Sequence, residues 1–286
     1  MSAAGATFEA QDLYVSGVPD AALGSRRRFA RFRLWRFFVL MLAGAYFLIP
    51  IYAGLKFSLE NINGQFSFQA IENLPSAPGF GGALSLSLRL AALTVVISTL
   101  LIVPTAIYVH LRLPRMRRVL DFITILPIVI PPIVLIVGVL VVAPLWLKAT
   151  PYLLSLMYVI LSMPFVYRSL DAGLGAIDLR TLAEASRSLG GNWLMTLWRV
   201  ILPNIRSALL SAMVLTLALA FGEYTMASLD LWTTIPVWIA QFTSTPDGHV
   251  QIAAAMLGLI GTWLLLSLIV SLDRSQSRKS RKRSGA

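Results

Sequence analysis

Six stretches of this sequence are each apolar enough, and near enough to 20 residues, to cross a lipid bilayer as a helix. They run roughly over 34–55, 85–109, 120–142, 151–170, 207–227 and 250–272. A hydrocarbon core about 30 Å thick takes about 20 helical residues, so these lengths fit. Pro131, Pro132, Pro144 and Pro164 blur the ends of the third and fourth stretches. Membrane helices tolerate proline where neighbours satisfy the freed carbonyl. Composition closes off a soluble fold. Only 13% of residues are charged and 57% are hydrophobic, with mean hydropathy +0.76. A water-facing domain carries about 25% charged residues. Lipid must be the solvent for most of this chain.

The positions of the charges give a topology. Net charge is +11, and all but three of the 24 lysines and arginines fall in four segments. These are the N-terminal arm (Arg26 to Arg36), the second-to-third loop (Arg112 to Arg118), the fourth-to-fifth loop (Arg168 to Arg206) and the tail (Arg274 to Arg283). Lys56, Arg89 and Lys148 are the exceptions. Under the positive-inside rule those four segments are cytoplasmic, which puts both termini inside and requires an even number of spans. Basic charge split among four segments also excludes a nucleic-acid surface. The chain has no cysteine and two histidines, His110 and His249, which excludes disulfides, thiolate chemistry and His-rich metal clusters.

The most informative segment is the loop 171–206. Asp178 is placed to cap a helix, after which Leu179, Leu182, Ser186 and Leu189 recur at helical spacing. Gly190-Gly191 should end that helix, because glycine accepts the left-handed conformation of a helix C-terminus. Asn192 can cap a second helix over 193–201, with Pro203 expected to stop it. Such an amphipathic pair either lies on the lipid surface or docks a soluble partner.

Here a resemblance becomes specific. Glu184-Ala185-Ser186, then Gly190, then Val200-Ile201-Leu202-Pro203 resembles the Glu-Ala-Ala motif of ABC importer permeases. Glu184, Ala185, Gly190, Leu202 and Pro203 match at the motif's spacing, while Ser186 replaces its second alanine and Val200 an isoleucine. Residues 85–138 are also similar to the core of these permeases, with Pro104-Thr105-Ala106, Leu126-Pro127 and Pro131-Pro132. A family asparagine is missing at Leu84 or Ser85. The resemblance spans about 83–272. It implies a coupling helix formed by Glu184, Ala185, Ser186, Leu189, Gly190, Leu202 and Pro203, seated on an ATP-binding subunit. Gly190 and Ala185 would permit close approach, and Glu184 would be a polar anchor.

The sequence contains no Gly-x-x-x-x-Gly-Lys-Ser/Thr phosphate loop, no Gly-x-Ser-x-Gly elbow and no His-Glu-x-x-His pair. The chain is therefore expected not to be an enzyme and to hold no cofactor; the resemblance implies ATP and magnesium on a partner. Within the fifth stretch, Glu223 and Tyr224 are the candidate residues of a translocation path, since an intramembrane carboxylate is functional by default, with a helix-packing, gating or snorkelling role for Glu223 as the alternative. An acid beside an aromatic suits a cation. Phe221 to Tyr224, Thr233 to Val237 and 253–257 resemble the spermidine/putrescine importer group. Iron(III), aminoethylphosphonate and thiamine importers share much of the pattern.

The expectation is an all-α, six-span permease of the type I ABC importer kind in the plasma or inner membrane. It comprises an unstructured cytoplasmic arm (1–33), a permease domain (34–272) and a basic tail (273–286). The implied partners are a second, homologous permease, an ATP-binding subunit dimer, an external substrate-binding protein and membrane lipid. The favoured solute is a polyamine, and the mechanism is alternating access. The rival is a self-sufficient channel or secondary transporter, which would carry several intramembrane ionisable groups.

Overall fold

A computed structural model describes residues 21–61, 63–241 and 248–283. It is helical throughout, and the described residues pair as strand only at one isolated bridge, Glu60 with Phe66. The helices are α1 (Ala21–Ser58), α2 (Gln69–Asn73), α3 (Phe80–Arg112), α4 (Arg117–Val129), α5 (Pro132–Val142), α6 (Leu145–Lys148), α7 (Tyr152–Gly175), α8 (Leu179–Ser188), α9 (Trp193–Thr196), α10 (Leu202–Asn204), α11 (Arg206–Gly222), α12 (Thr225–Leu229), α13 (Ile235–Ala240) and α14 (His249–Arg283). The chain divides into two compact units, Met1–Gly54 and Leu55–Ala286.

The first unit is carried by α1. Between Phe37 and Leu55 its side chains are apolar and mostly exposed, with Leu40, Tyr46 and Phe47 among the most open. That pattern belongs to a helix solvated by lipid. The helix begins at Ala21, so residues 21–33 extend it rather than forming an unstructured arm. Arginine, alanine and leucine, which favour helix, dominate that run. Residues 1–20 of the expected arm lie outside the described residues. At the other end α14 continues to Arg283, so most of the basic tail is helical, and 284–286 lie outside the described residues.

Among the described residues four helical segments are long and apolar enough to span a membrane: Trp35–Ser58, Phe80–Arg112, Tyr152–Gly175 and Arg206–Leu229. The expected third span is not one straight helix. Its halves, Pro114–Val129 and Pro132–Val142, meet at 96°. The cause is the proline pair. A residue before proline is driven out of the helical region, and Ile130 and Pro131 both precede one. They take ψ 119° and 136°, which inserts two extended residues and turns the chain. A shorter apolar stretch, His249–Leu264, corresponds to the sixth expected span.

The second unit is built on α3, α7 and α11. At the end carrying α8, the core joins Ile102, Ala106 and Ile107 of α3 to Val166, Tyr167 and Leu170 of α7, and takes in Leu179, Ile201 and Ile205 from the loop. At the other end Leu90, Ile136, Leu154, Tyr158, Ala220 and Met226 pack together. Several polar side chains inside the bundle are satisfied by nearby groups. Thr94 and Thr216 donate back to Leu90 and Ala212 of their own helices at 2.7 and 2.9 Å. Ser98 and Ser162 pair across the α3–α7 contact at 3.1 Å. A hydroxyl so paired costs little in lipid.

Candidate functional site

The loop after α7 folds as the sequence suggests at its caps. Asp178 accepts from the Thr181 backbone N–H at 3.2 Å and from its hydroxyl at 2.7 Å. Those two donors, the hydroxyl first, hold its carboxyl below the usual range. Asn192 accepts from Met195 N–H at 2.8 Å and opens α9. Between them Gly190 sits at φ +80°. Gly191 N–H donates to the Ser186 carbonyl at 2.8 Å, and Gly190 N–H to the Arg187 carbonyl at 2.9 Å. That pair of bonds is the Schellman arrangement that closes a helix through a left-handed residue.

The two glycines act differently. A Cβ on Gly190 would meet nothing within 4 Å, so its glycine character serves the backbone angle. A Cβ on Gly191 would fall 2.6 Å from Ser186 Oγ and 2.7 Å from its carbonyl, so Gly191 is required by contact. Ser186 Oγ in turn pairs with Thr196 Oγ1 at 2.8 Å and ties α8 to α9. The serine that replaces the motif's alanine thus has its own partner inside the turn.

Three details depart from the pattern read in the sequence. The inward stripe of α8 is Leu179, Ala183 and Ser186, with Leu182 half-buried; Leu189 has left the helix and is 88% exposed. Pro203 does not stop the second helix, which continues as α10 to Asn204. A π turn over Leu197–Ile201 precedes it. Widening the turn there makes room for a ring that would otherwise press on the carbonyl four residues back. The bend into α11 falls at Ile205, whose φ and ψ are −105° and 15°.

The outcome is a knob with two faces. Leu179, Ile201 and Ile205 root it in the bundle core. Its tip presents Leu189, Trp193, Leu194, Met195 and Trp198 to the outside, with Glu184, Ala185 and Gly190 exposed beside them. Leu202 is half-buried and Pro203 exposed. The exposed tryptophans and the contact role of Gly191 are not evident from the sequence, because helical periodicity alone assigns Leu189 to the buried side.

Glu223 and Tyr224 have different surroundings. The α11 helix ends at Gly222, and Glu223 is extended (φ −75°, ψ 123°), so it lies at a helix break within the apolar segment Arg206–Leu229. Both its carboxylate oxygens accept from Met226 N–H at 3.0 Å, and one lies 3.4 Å from Ala227 N–H. The carboxylate is therefore the cap of α12, where a negative charge meets the unpaired N–H groups of a helix start. Beside it is Tyr158, fully buried, whose hydroxyl has Glu223 and Asp230 as acidic neighbours. Tyr224, half exposed, lines an open apolar groove of about 580 Å³ with Phe221, Pro236, Ile239 and Leu259. Glu223→Ala should cost about 1 kcal/mol of stability, as loss of a helix cap does. Glu223→Gln, which keeps an acceptor, should cost less. Thermal unfolding of the detergent-solubilised protein measures both.

His110 and His249 have separate partners. His249 stacks on Phe57 at 4.0 Å and His110 Nδ1 donates to the Ala106 carbonyl at 2.8 Å. Among the described residues no group of three or more His, Cys, Asp or Glu side chains is placed to hold a metal ion.

The fold is that of an all-helical, multi-pass membrane protein with a rooted helical knob at one end of the bundle. Residues 102–282 match the binding-protein-dependent transport system inner membrane component family, and the chain belongs to that family. It is similar to a ferric transport system permease protein of Actinobacillus pleuropneumoniae, 29% identical over 55% of this chain and 23% of that one. It is also similar to a probable molybdenum ABC transporter permease protein of Haloferax volcanii, 28% identical over 81% of this chain and 89% of that one. A putative 2-aminoethylphosphonate transport system permease protein of Salmonella typhimurium is 28% identical over 59% of this chain and 64% of its own length. The match thus spans less than a quarter of the first relative and most of the second. All three carry the name of a transport permease.

Proposed function

We propose that this chain is the membrane-spanning permease subunit of an ATP-driven importer, and that the α8–α9 knob is where an ATP-binding subunit docks. The observation that carries the reading is the division of the knob's apolar residues. A helix lying on lipid would turn its whole apolar face to the bilayer. Here one apolar set is spent on anchoring the knob in the bundle, and a second set, around Leu189 and Trp198, stands clear of its own chain. An apolar tip on a rigid base suits a partner's groove. The Glu-Ala-Ala-like spacing of Glu184, Ala185 and Gly190 supports the same assignment.

In this reading the α8 end faces the cytoplasm, in keeping with the arginine-rich loops there. ATP and magnesium are held by the partner, a second permease subunit completes the path, and an external binding protein delivers the solute. Closure of the ATP-binding pair moves the knob, and the bundle changes the side to which the path opens.

For the solute, the relatives' names cover ferric iron, molybdenum and 2-aminoethylphosphonate. We read the cargo as a small charged solute of that kind. A polyamine draws its chemical support from Glu223 and Tyr224, beside the resemblance of Phe221 to Tyr224, Thr233 to Val237 and 253–257. With the Glu223 carboxylate engaged on two backbone N–H groups and Tyr224 turned into an apolar groove, that support is weak. Two measurements test the reading. Purification in mild detergent should recover an ATP-binding chain with the permease, and its absence would overturn the assignment. Deletion cells supplied with labelled ferric iron, molybdate, sulfate, 2-aminoethylphosphonate and spermidine should lose uptake of one of them. Loss of spermidine uptake alone would reinstate the polyamine.

A further inference from the structure

Two helices that are far apart in sequence are stitched together where the loop leaves the bundle. On α7, Tyr167, Arg168 and Asp171 share a face; on α4, Arg117 and Asp121 do. Arg117 Nε donates to Asp171 Oδ1 at 2.7 Å and Arg117 Nη2 to Oδ2 at 2.8 Å. One turn along, the polarity is reversed, and Arg168 Nε lies 3.6 Å from Asp121 Oδ1. The Tyr167 hydroxyl donates to the Arg117 carbonyl at 3.4 Å. From α3, His110 Nε2 reaches to 3.1 Å from Asp171 Oδ1. Arg117 and Asp171 are both partly open to solvent, and such pairs add little stability. What a bidentate guanidinium–carboxylate pair does supply is a fixed relative orientation.

We propose that the Arg117–Asp171 pair is a mechanical link that makes the first half of the broken third span move as one body with the docking knob. The inference rests on the knob being the docking element. Asp171 lies on the last turns of α7, and beyond it Leu174 and Leu179 are buried in the same core, so no slack separates Asp171 from α8. On the other side of the link, α4 runs unbroken from Arg117 to Val129, where the 96° turn at Ile130 and Pro131 begins. A displacement imposed on the knob passes through the link into α4 and is taken up at the proline break, the point where backbone hydrogen bonding is interrupted. Arg117 and Asp171 are thus positioning residues for the transport cycle.

The chain has no cysteine, so paired cysteine substitutions can be spin-labelled cleanly. Val119 on α4, Arg180 on α8 and Ile133 on α5 are exposed. In the complete transporter, reconstituted in lipid, distances are measured without nucleotide and with ATP trapped by vanadate. The Val119→Cys/Arg180→Cys distance should stay constant while Val119→Cys/Ile133→Cys changes. With Asp171→Asn the first distance should change as well. Combining Arg117→Asp with Asp171→Arg should restore constancy, which a general loss of folding would not do. A 119–180 distance that changes in the unaltered transporter overturns the proposal, as does one that stays fixed in Asp171→Asn or a 119–133 distance that never moves. If no ATP-binding chain assembles with the unaltered permease, the docking reading itself is wrong and the link goes with it. That failure shows at the purification step, before any distance is taken.

Discussion

Gly190→Arg should reduce uptake to the level of cells lacking the chain, while the protein still accumulates in the membrane. Two separable effects lead there. The first is backbone strain. Gly190 sits at φ +80°, and a residue with a Cβ pays about 1–2 kcal/mol to stay in that region. The second is the surface presented to a partner. Nothing of this chain lies within 4 Å of the position a Cβ would take. An arginine there meets no internal obstacle and projects into the space beside Leu189 and Ala185. Gly190→Ala separates the two, since it bears the same backbone cost with almost no bulk. Alanine should retain a large part of uptake and arginine none, with equal amounts of each in isolated membranes. Equal uptake by the two variants would show that the turn's conformation matters and its surface does not, and would remove the docking assignment. Loss of both from the membrane would show that the turn is needed only to fold.

How far these features could be read in the sequence depends on the distance over which each is determined. The caps at Asp178 and Asn192 and the left-handed turn at Gly190 depend on three or four adjacent residues, and the sequence sufficed for them. Spans by apolar length are similarly local, and the four long helices follow from composition. Features that depend on neighbours distant in sequence were not legible. Leu189 continues a helical repeat on paper, yet the helix ends one residue earlier and leaves it exposed. Pro203 reads as a stop until the π turn before it is seen. The proline pair at Pro131 and Pro132 announces a disturbance but not a right-angle turn. Glu223 lies in an apolar run that reads as one continuous helix, whereas the backbone breaks at that residue and its carboxylate caps the next short helix. The Arg117–Asp171 pair joins residues 54 apart and has no local signature at all.

Gly173→Leu should be the most damaging single change to the fold. Gly173 lies on the last turns of α7, where that helix crosses α11. A Cβ built there would overlap the Cβ of Ala208, with Ile205 also in contact. Neither obstacle can yield easily: a Cβ has no torsion by which to swing aside, and Ile205 is buried in the core at this end. The backbones of α7 and α11 must therefore separate. Close approach at small residues is what holds helices together in lipid, where no hydrophobic force favours helix over acyl chain. Overpacking a tight site costs about 1–3 kcal/mol, and a leucine here should fall at the upper end because backbone, not side chain, must shift. The same crossing positions Leu174 and Ile205, which root the docking knob, so the loss would extend to coupling. Thermal unfolding of the solubilised permease should show Gly173→Leu strongly destabilised and Gly173→Ala intermediate. A leucine variant as stable as the unaltered protein would mean that α7 and α11 do not approach this closely in the membrane.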